Sequence, residues 1–529
     1  MGNTSLRGAA EPGPGSPERP SIGRSTILLV GATAVSSALA VFRNFYVARY
    51  LLPASFGAWS LVNTLLYYAG YADVGVNAGL ILEAPRLIGQ GAIAESGRVQ
   101  RQAFTATLMI GGGAALLVAA ATWLSWLGAA EARPYVRIVA LAIVVLALMN
   151  YYNVIARIRD MFGLISVSVI VMAVTASAGV VAASLAARGL GVGSVALVTT
   201  AGYAAAALTL ALFARTAPAW PPDWSLALRL VKIGLPVSLL PIGFTLFLSL
   251  DRWIVAVLMP GADLGYYGFG ALLGMFLYMI PSTLSVVLFT RQIERFGTTN
   301  DPRSLEPLVI PPIQLSGFLM AFLAGGVVLS LPVLVQDLLP QYRPGLAASM
   351  AQVAANGLLF TVPVGANFLI SIGRRKVLFT ALAAATAGKA VLVAAVTSLG
   401  RSVAAASVGV LAGNAVYAVL IAALVFRFLG ESPAAAGRGI AAAVAPFAVC
   451  LPVALALAFA VPPGGATGRD LVRWLAIAAA YASACGTGCL LVARRRGLLR
   501  QPFVLRRIPA WLPGPWAEAL IGRERELHD

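Results

Sequence analysis

The chain has 529 residues, 59% of them hydrophobic and 11% charged, with a mean hydropathy of +0.86 and a net charge of +18. A water-soluble domain carries about a quarter of its residues as charges and cannot keep this much apolar surface from water, whereas a bilayer can. The excess of basic residues has no soluble face to sit on, which argues against a nucleic-acid partner.

Backbone polar groups inside a bilayer must be satisfied by helices or by a closed barrel. The apolar runs here last about twenty residues or more, where barrel strands would alternate over about ten, so helices are expected. Residues 1–23, rich in Gly, Pro and Ser, read as a disordered cytoplasmic tail, and the first span acts as an uncleaved insertion signal. Fourteen spans follow, at 25–50, 57–80, 103–127, 135–157, 163–187, 193–214, 229–259, 265–290, 308–331, 346–370, 377–399, 403–427, 439–461 and 469–493. No break between them holds a folded soluble domain. A tail over 494–529 brings Arg494, Arg495, Arg496, Arg500, Arg506 and Arg507 among Leu, Phe and Trp, as expected of a segment lying on an anionic inner leaflet. With the N-terminus inside, most of the 38 Lys and Arg fall on that same side, so both termini are expected in the cytoplasm.

Two stretches echo one another. Arg43 and Arg252 each precede a short Pro-containing turn, Gly57 and Gly265 each open the next helix, and Glu83 and Arg291 follow at the same distance. The offset is about 208 residues, or six spans, and an even number keeps both copies in one orientation, related by an axis along the membrane normal. The expected fold is an all-α polytopic membrane protein of about fourteen transmembrane helices. A six-helix lobe (24–215), a second six-helix lobe (216–428) and two additional helices (429–493) surround a central cavity.

The stretch Arg43-Asn44-Phe45-Tyr46-Val47-Ala48-Arg49, followed by Leu51-Leu52-Pro53-Ala54-Ser55-Phe56-Gly57, resembles the start of polysaccharide transporters in the MATE/oligosaccharidyl-lipid flippase (MOP) superfamily. Leu339-Pro340-Gln341-Tyr342-Arg343-Pro344-Gly345, and Asn367 followed by Gly373-Arg374-Arg375-Lys376, extend the resemblance over nearly the whole chain. It implies a flippase whose cargo is a polyprenyl-diphosphate-linked oligosaccharide, working beside glycosyltransferases or a polymerase of the same pathway. The partners expected are therefore this lipid-linked substrate and the membrane lipids.

Charged groups within spans are costly, about 2.5–3.5 kcal/mol each at a helix centre, and so are the informative residues. Lys389 lies roughly 18 Å from either end of its span, beyond the reach of its own stem, so it faces a polar interior or is bonded to helix carbonyls. Arg43 and Arg252, at equivalent places in the two repeats, would offer fork-like donors to a diphosphate or else snorkel to the interface. Asp73 and Asp251 are the candidates for ion coupling or pairing, Asp73 alternatively capping a helix with Asn77. Asn63, Tyr67, Asn153 and Tyr267 would contact sugars or bind helices together. Pro236, Pro241, Pro281 and Pro363 interrupt spans and would serve as bending points.

Other chemistries find little support. The one histidine, His528, is in the extreme tail, and no G-x-x-x-x-G-K-[ST] fingerprint occurs, so an ion gradient, membrane potential or substrate flux must supply energy. Cys450, Cys485 and Cys489 have no His or carboxylate beside them and read as buried thiols, so neither metal nor cofactor is expected. An ion-coupled multidrug antiporter would favour an acidic interior, and a membrane-embedded glycosyltransferase or polymerase would need acidic or His groups on substantial outer loops. The non-enzymatic flippase accounts for the basic interior best.

Overall fold

The computed structural model describes residues 22–121, 133–186, 190–460, 468–495 and 498, and among them it is helical without a strand. The predicted tails, 1–23 and 494–529, lie almost wholly outside the described residues. The first half runs α1 (Ile22–Tyr50), α2 (Pro53–Ala69), α3 (Val76–Gly89), α4 (Ile93–Ala121), α5 (Arg133–Ile158), α6 (Phe162–Ala186) and α7 (Val192–Ala214). The second runs α8 (Trp224–Leu258), α9 (Ala262–Thr299), α10 (Ile310–Asp337), α11 (Leu346–Gly357), α12 (Thr361–Ser371), α13 (Arg375–Gly400) and α14 (Val403–Leu429). Then come α15 (Pro433–Ala460), α16 (Gly468–Tyr481) and α17 (Thr487–Arg495). Twelve helical segments among the described residues are long and apolar enough to cross a membrane. The protein is thus a multi-pass membrane protein, with α1 and the α2–α3 pair in the places of the first two predicted spans.

Three predicted spans are not continuous α-helices. The second breaks between α2 and α3, where Val74 and Gly75 take left-handed φ of 50° and 88°. Asp73 caps the new start, its Oδ2 accepting from Asn77 N at 2.8 Å, and Asn150 of α5 donates to Gly70 O at 2.8 Å. These bonds satisfy backbone groups that a break would otherwise strand in the bilayer. The tenth span breaks at Leu358–Phe360, just before Pro363, and the last at a π-helical turn, Ala482–Gly486. By contrast α8 runs unbroken through Pro236 and Pro241, and α9 through Pro281, so these prolines do not divide their helices.

Neighbour relations repeat between the halves. Helix α1 packs on α6 as α8 does on α13, α6 on α7 as α13 on α14, and α5 on α7 as α11 and α12 on α14. Helix α15 lies along α10, and α16 and α17 also touch α10.

The two halves close on one another at two ends, with α2 also facing α8 between them. At the end bearing the α1–α2 turn, α2 crosses α9 at the repeat-equivalent glycines: a Cβ on Gly57 would lie 2.8 Å from Gly265 N, and one on Gly265 would overlap the Pro53 carbonyl. The 339–345 turn closes this end further. Gln341 Nε2 donates to Ala48 O and Arg49 O at 3.1 and 3.2 Å, and Arg49 Nη1 to Leu338 O at 3.3 Å. The last carbonyls of α1, which have no partner within the helix, thus find donors in the other lobe. Phe56, Phe269 and Tyr342 pack ring against ring beneath them.

At the opposite end α3 lies on α8, backbone against backbone, and a Cβ on Gly234 would overlap Gly75 O and Gly79 N. Glu83, buried in α3, accepts from Arg86 Nη2 at 2.7 Å and from Arg229 of α8. Asp223 caps α8 by accepting from Leu226 N at 3.1 Å and takes Arg98 Nη2 at 3.2 Å. Both closures rest on missing side chains, so Gly265→Ala and Gly234→Ala should each destabilise the closed fold by about 1–3 kcal/mol. Gly297→Ala, whose Cβ would meet nothing within 4 Å, should not. Thermal unfolding in detergent checks the contrast.

Candidate functional site

Between the two closures, α8 and α13 bring three charges to one place. Lys389 Nζ, from the middle of α13, donates to Phe247 O at 2.9 Å and to Asp251 Oδ1 at 3.1 Å. The ammonium also lies 4.6 Å from the centre of the Phe247 ring. The second Asp251 oxygen accepts from the Tyr267 hydroxyl of α9. The Lys389 and Asp251 side chains are 2% and 3% exposed, so neither charge has bulk water to solvate it. A pair this deep survives because each ion supplies the other's counter-charge and the remaining polar atoms find partners.

Arg252, one residue on, points about 100° away and meets the other lobe instead. Its Nη1 donates to Thr64 Oγ1 of α2 at 3.0 Å, while its buried Nε has no partner. Thr64 starts a set of polar rungs between α2 and α8: Tyr68 and Ser249 hydroxyls lie 2.6 Å apart, and Tyr71 and Thr245 3.5 Å apart. The steps 64 and 68 on α2, continued by Tyr71 in the turn just beyond it, face 252, 249 and 245 on α8, the spacing of a helical stripe.

A cavity opens beside these groups, walled by Tyr67, Thr245, Ser249, Asp251, Arg252, Met275, Tyr278, Gln352, Asn356 and Lys389. Its volume of about 80 Å³ holds roughly five waters. It is polar on one wall and apolar on the other, and far too small for a lipid-linked sugar. The arrangement is a closed state with its charges stored.

The predicted residues separate into three groups. Arg252, Lys389, Asp251 and Tyr67 are brought to one cavity. Tyr267 is fully buried behind it with its hydroxyl committed to Asp251, so it braces the carboxylate here and is not a sugar contact in this state. Arg43, Asn63, Asn153 and Asp73 do not line the cavity. Arg43 lies half-buried in α1 with its Nε unpartnered, within electrostatic reach of Tyr203, as Tyr67 is. Asp73 caps α3, its Oδ2 accepting from Asn77 N at 2.8 Å, which is the capping role raised for it beside Asn77. Lys389 meets both alternatives raised for it, lining the cavity and donating to a helix carbonyl, and Asp251 is its pairing partner.

Sequence reading missed Thr64, Gln352, Asn356 and Tyr278. Gln352 and Asn356 sit at i, i+4 in an otherwise apolar helix, a spacing that could have signalled a polar stripe. The Gln352 amide lies beside the Tyr267 hydroxyl, yet its Nε2 makes no well-formed hydrogen bond. Arg252 Nε and Gln352 Nε2 are thus two buried donors in the wall of one cavity, ready for an acceptor.

A family model described as polysaccharide biosynthesis protein matches residues 46–342, which include Asp251 and Arg252 and end before Lys389. The chain belongs to this family. Solved structures extend the likeness to the whole fold. A multidrug resistance MATE family transporter of the MOP superfamily, inward-facing, is 13% identical with a TM-score of 0.64, covering 76% of this chain and 96% of that one. The lipid II flippase MurJ, in an inward closed conformation, is 13% identical with a TM-score of 0.62, covering 89% and 99%. An outward-facing MATE structure gives 15% identity and a TM-score of 0.55 over 77% and 95%. No curated protein matches the sequence. This polysaccharide biosynthesis family member therefore shares the fold of these MATE and MurJ structures.

The ion pair makes a direct prediction. Lys389→Met or Asp251→Asn alone strands one buried charge and should cost about 3–5 kcal/mol, while the double substitution should recover most of it. A melting-temperature cycle on the four proteins measures the coupling; additive losses would contradict the pairing.

Proposed function

We propose that this protein is a flippase that carries a polyprenyl-diphosphate-linked oligosaccharide across the cytoplasmic membrane for cell-surface polysaccharide synthesis. The observation that carries the reading is the cavity wall where Arg252, with a buried unpartnered Nε, stands beside Lys389 and the spare Gln352 donor. These groups leave a net positive charge and free N–H donors between two lobes, which suits phosphate oxygens better than an organic cation. Membership in a polysaccharide biosynthesis family and the fold shared with a lipid II flippase support the same class of cargo.

Both termini face the cytoplasm in this reading, so the Glu83–Arg229 closure is the cytoplasmic gate and the Gly57–Gly265 crossing the outer one. Cargo enters when α3 parts from α8, is bound at its diphosphate by Arg252 and Lys389, and leaves when α2 parts from α9. Arg43 meets the head group or sugar from the first lobe as the cavity widens, alongside Tyr67. Asn63 and Asn153 contribute on the same side. The glycine crossings let the helices lie close, and parting them breaks the Glu83–Arg229 pair at one end and the Gln341 bonds and Phe56 ring contacts at the other. The work is movement and selective binding, with no bond made or broken in the cargo. Glycosyltransferases that build the sugar, and a polymerase that receives it, are the partners this role implies.

The multidrug antiporter reading is weaker because the one acid in the cavity wall is paired with Lys389 and Asp73 is bound as a helix cap. Purified protein in vesicles decides between them. A fluorescent polyprenyl-diphosphate sugar should become accessible from the opposite leaflet, and Arg252→Ala should slow this at least tenfold while Arg303→Ala, distant from the cavity, leaves the rate unchanged. Efflux of ethidium without lipid transfer would replace the flippase with the antiporter.

A further inference from the structure

The Lys389–Asp251 pair poses a problem that a cationic cavity alone does not solve. Two of the three Lys389 donors are taken, one by Phe247 O and one by Asp251 Oδ1, and the carboxylate neutralises the charge the cargo needs. A diphosphate approaching through the third donor brings its charge against the Asp251 carboxylate, and this like-charge contact drives Asp251 off the ammonium. The displaced carboxylate then has no cation of its own. The groups facing it are the neutral Tyr267 hydroxyl from α9, the Gln352 amide from α11 and Lys389 from α13, now held by phosphate. On its own helix Arg252 points to Thr64 of α2, which brings no ionisable group to the carboxylate; Tyr68 of α2 is bonded to Ser249. From α14, Tyr417 packs on Phe247 rather than on the acid.

A carboxylate 97% buried and deprived of its counter-ion neutralises by taking a proton. We infer that Asp251 is a proton site coupled to anion binding: a diphosphate takes over Lys389 and Arg252, and Asp251 takes one proton from solvent. Tyr267 holds the acid in place in both states, its hydroxyl rotating to accept from the protonated carboxyl. The proton stays on the protein while the anion is bound and leaves when Lys389 returns. Proton and anion therefore favour one another's binding, and the linkage is reciprocal. One consequence is that each loaded protein carries one negative charge fewer than the cargo alone. A second is that affinity for the diphosphate weakens as pH rises, by up to tenfold per unit.

This inference rests on the flippase reading, and calorimetry separates the two. Farnesyl diphosphate is titrated into the full-length protein in detergent at fixed pH in buffers of different ionisation enthalpy, with inorganic pyrophosphate as the lipid-free arm. Wild type should take up about one proton more per ligand than the Lys389→Met/Asp251→Asn double variant, which keeps Arg252 and strands no charge, since changes in the ligand's own protonation cancel between them. Asp251→Glu should keep the uptake. Binding of farnesyl diphosphate but not pyrophosphate assigns the site to a lipid head group; binding of both assigns it to the diphosphate itself, and either supports the coupling if the proton difference is present. Infrared difference spectra of wild type alone give an independent check, since a protonated-carboxyl carbonyl band should appear on adding ligand. Equal proton uptake in wild type and the double variant, or no such band, overturns the coupling and leaves the flippase standing. Absence of binding by either ligand overturns both.

Discussion

A lysine in the middle of a membrane helix constrains everything around it. Lys389 cannot reach an interface, so the fold must bring it a counter-charge, a carbonyl and an aromatic face, and it takes all three from one helix, α8. That requirement fixes the rotation of α8 against α13. It thereby turns Arg252 toward α2 and sets the register in which Thr64, Tyr68 and Tyr71 meet Arg252, Ser249 and Thr245. The contact between lobes is in this sense a consequence of where one ammonium is buried.

The two halves share an arrangement of helices but not of charges. In the first lobe α1 and α6 correspond to α8 and α13, yet α1 carries Arg43 without any acid and α6 carries no charged residue. The first half has a half-buried guanidinium with an unpartnered Nε, and the second a buried ammonium neutralised by a carboxylate. The asymmetry suits a cargo with a charged head group and an uncharged sugar, because the strong site can be masked while the cavity is closed. The closures themselves follow the opposite logic. They set glycine against backbone, which holds helices close, and fasten each end with a few polar contacts, Glu83 with Arg229 at one and Gln341 with the last carbonyls of α1 at the other.

Much of this was legible beforehand. Hydrophobic run length gave the helices, and the matched Arg43 and Arg252, Gly57 and Gly265 gave the repeat; the structure then places the two glycines against each other. Depth along a span singled out Lys389, and adjacency in sequence raised Asp251. What sequence could not supply was partner identity across about 140 residues: Asp251 and Lys389 meet only because α8 packs on α13. Helix breaks were also hidden. A run such as 57–80 is apolar enough to pass as one span, and the interruption at Val74 and Gly75 depends on Asp73 and Asn150 supplying bonds from the side chain. The same capping explains why Asp73, the acid that looked most exposed to function, is occupied in the closed state.

The central claim is that the buried pair stores positive charge for an anionic head group and gives it up on loading. A structure of the protein with a polyprenyl diphosphate bound tests it most directly. The account predicts phosphate oxygens within hydrogen-bond distance of Lys389 Nζ and the Arg252 guanidinium, with Asp251 released from the ammonium and still beside Tyr267. A bound diphosphate with the Lys389–Asp251 contact intact would contradict it.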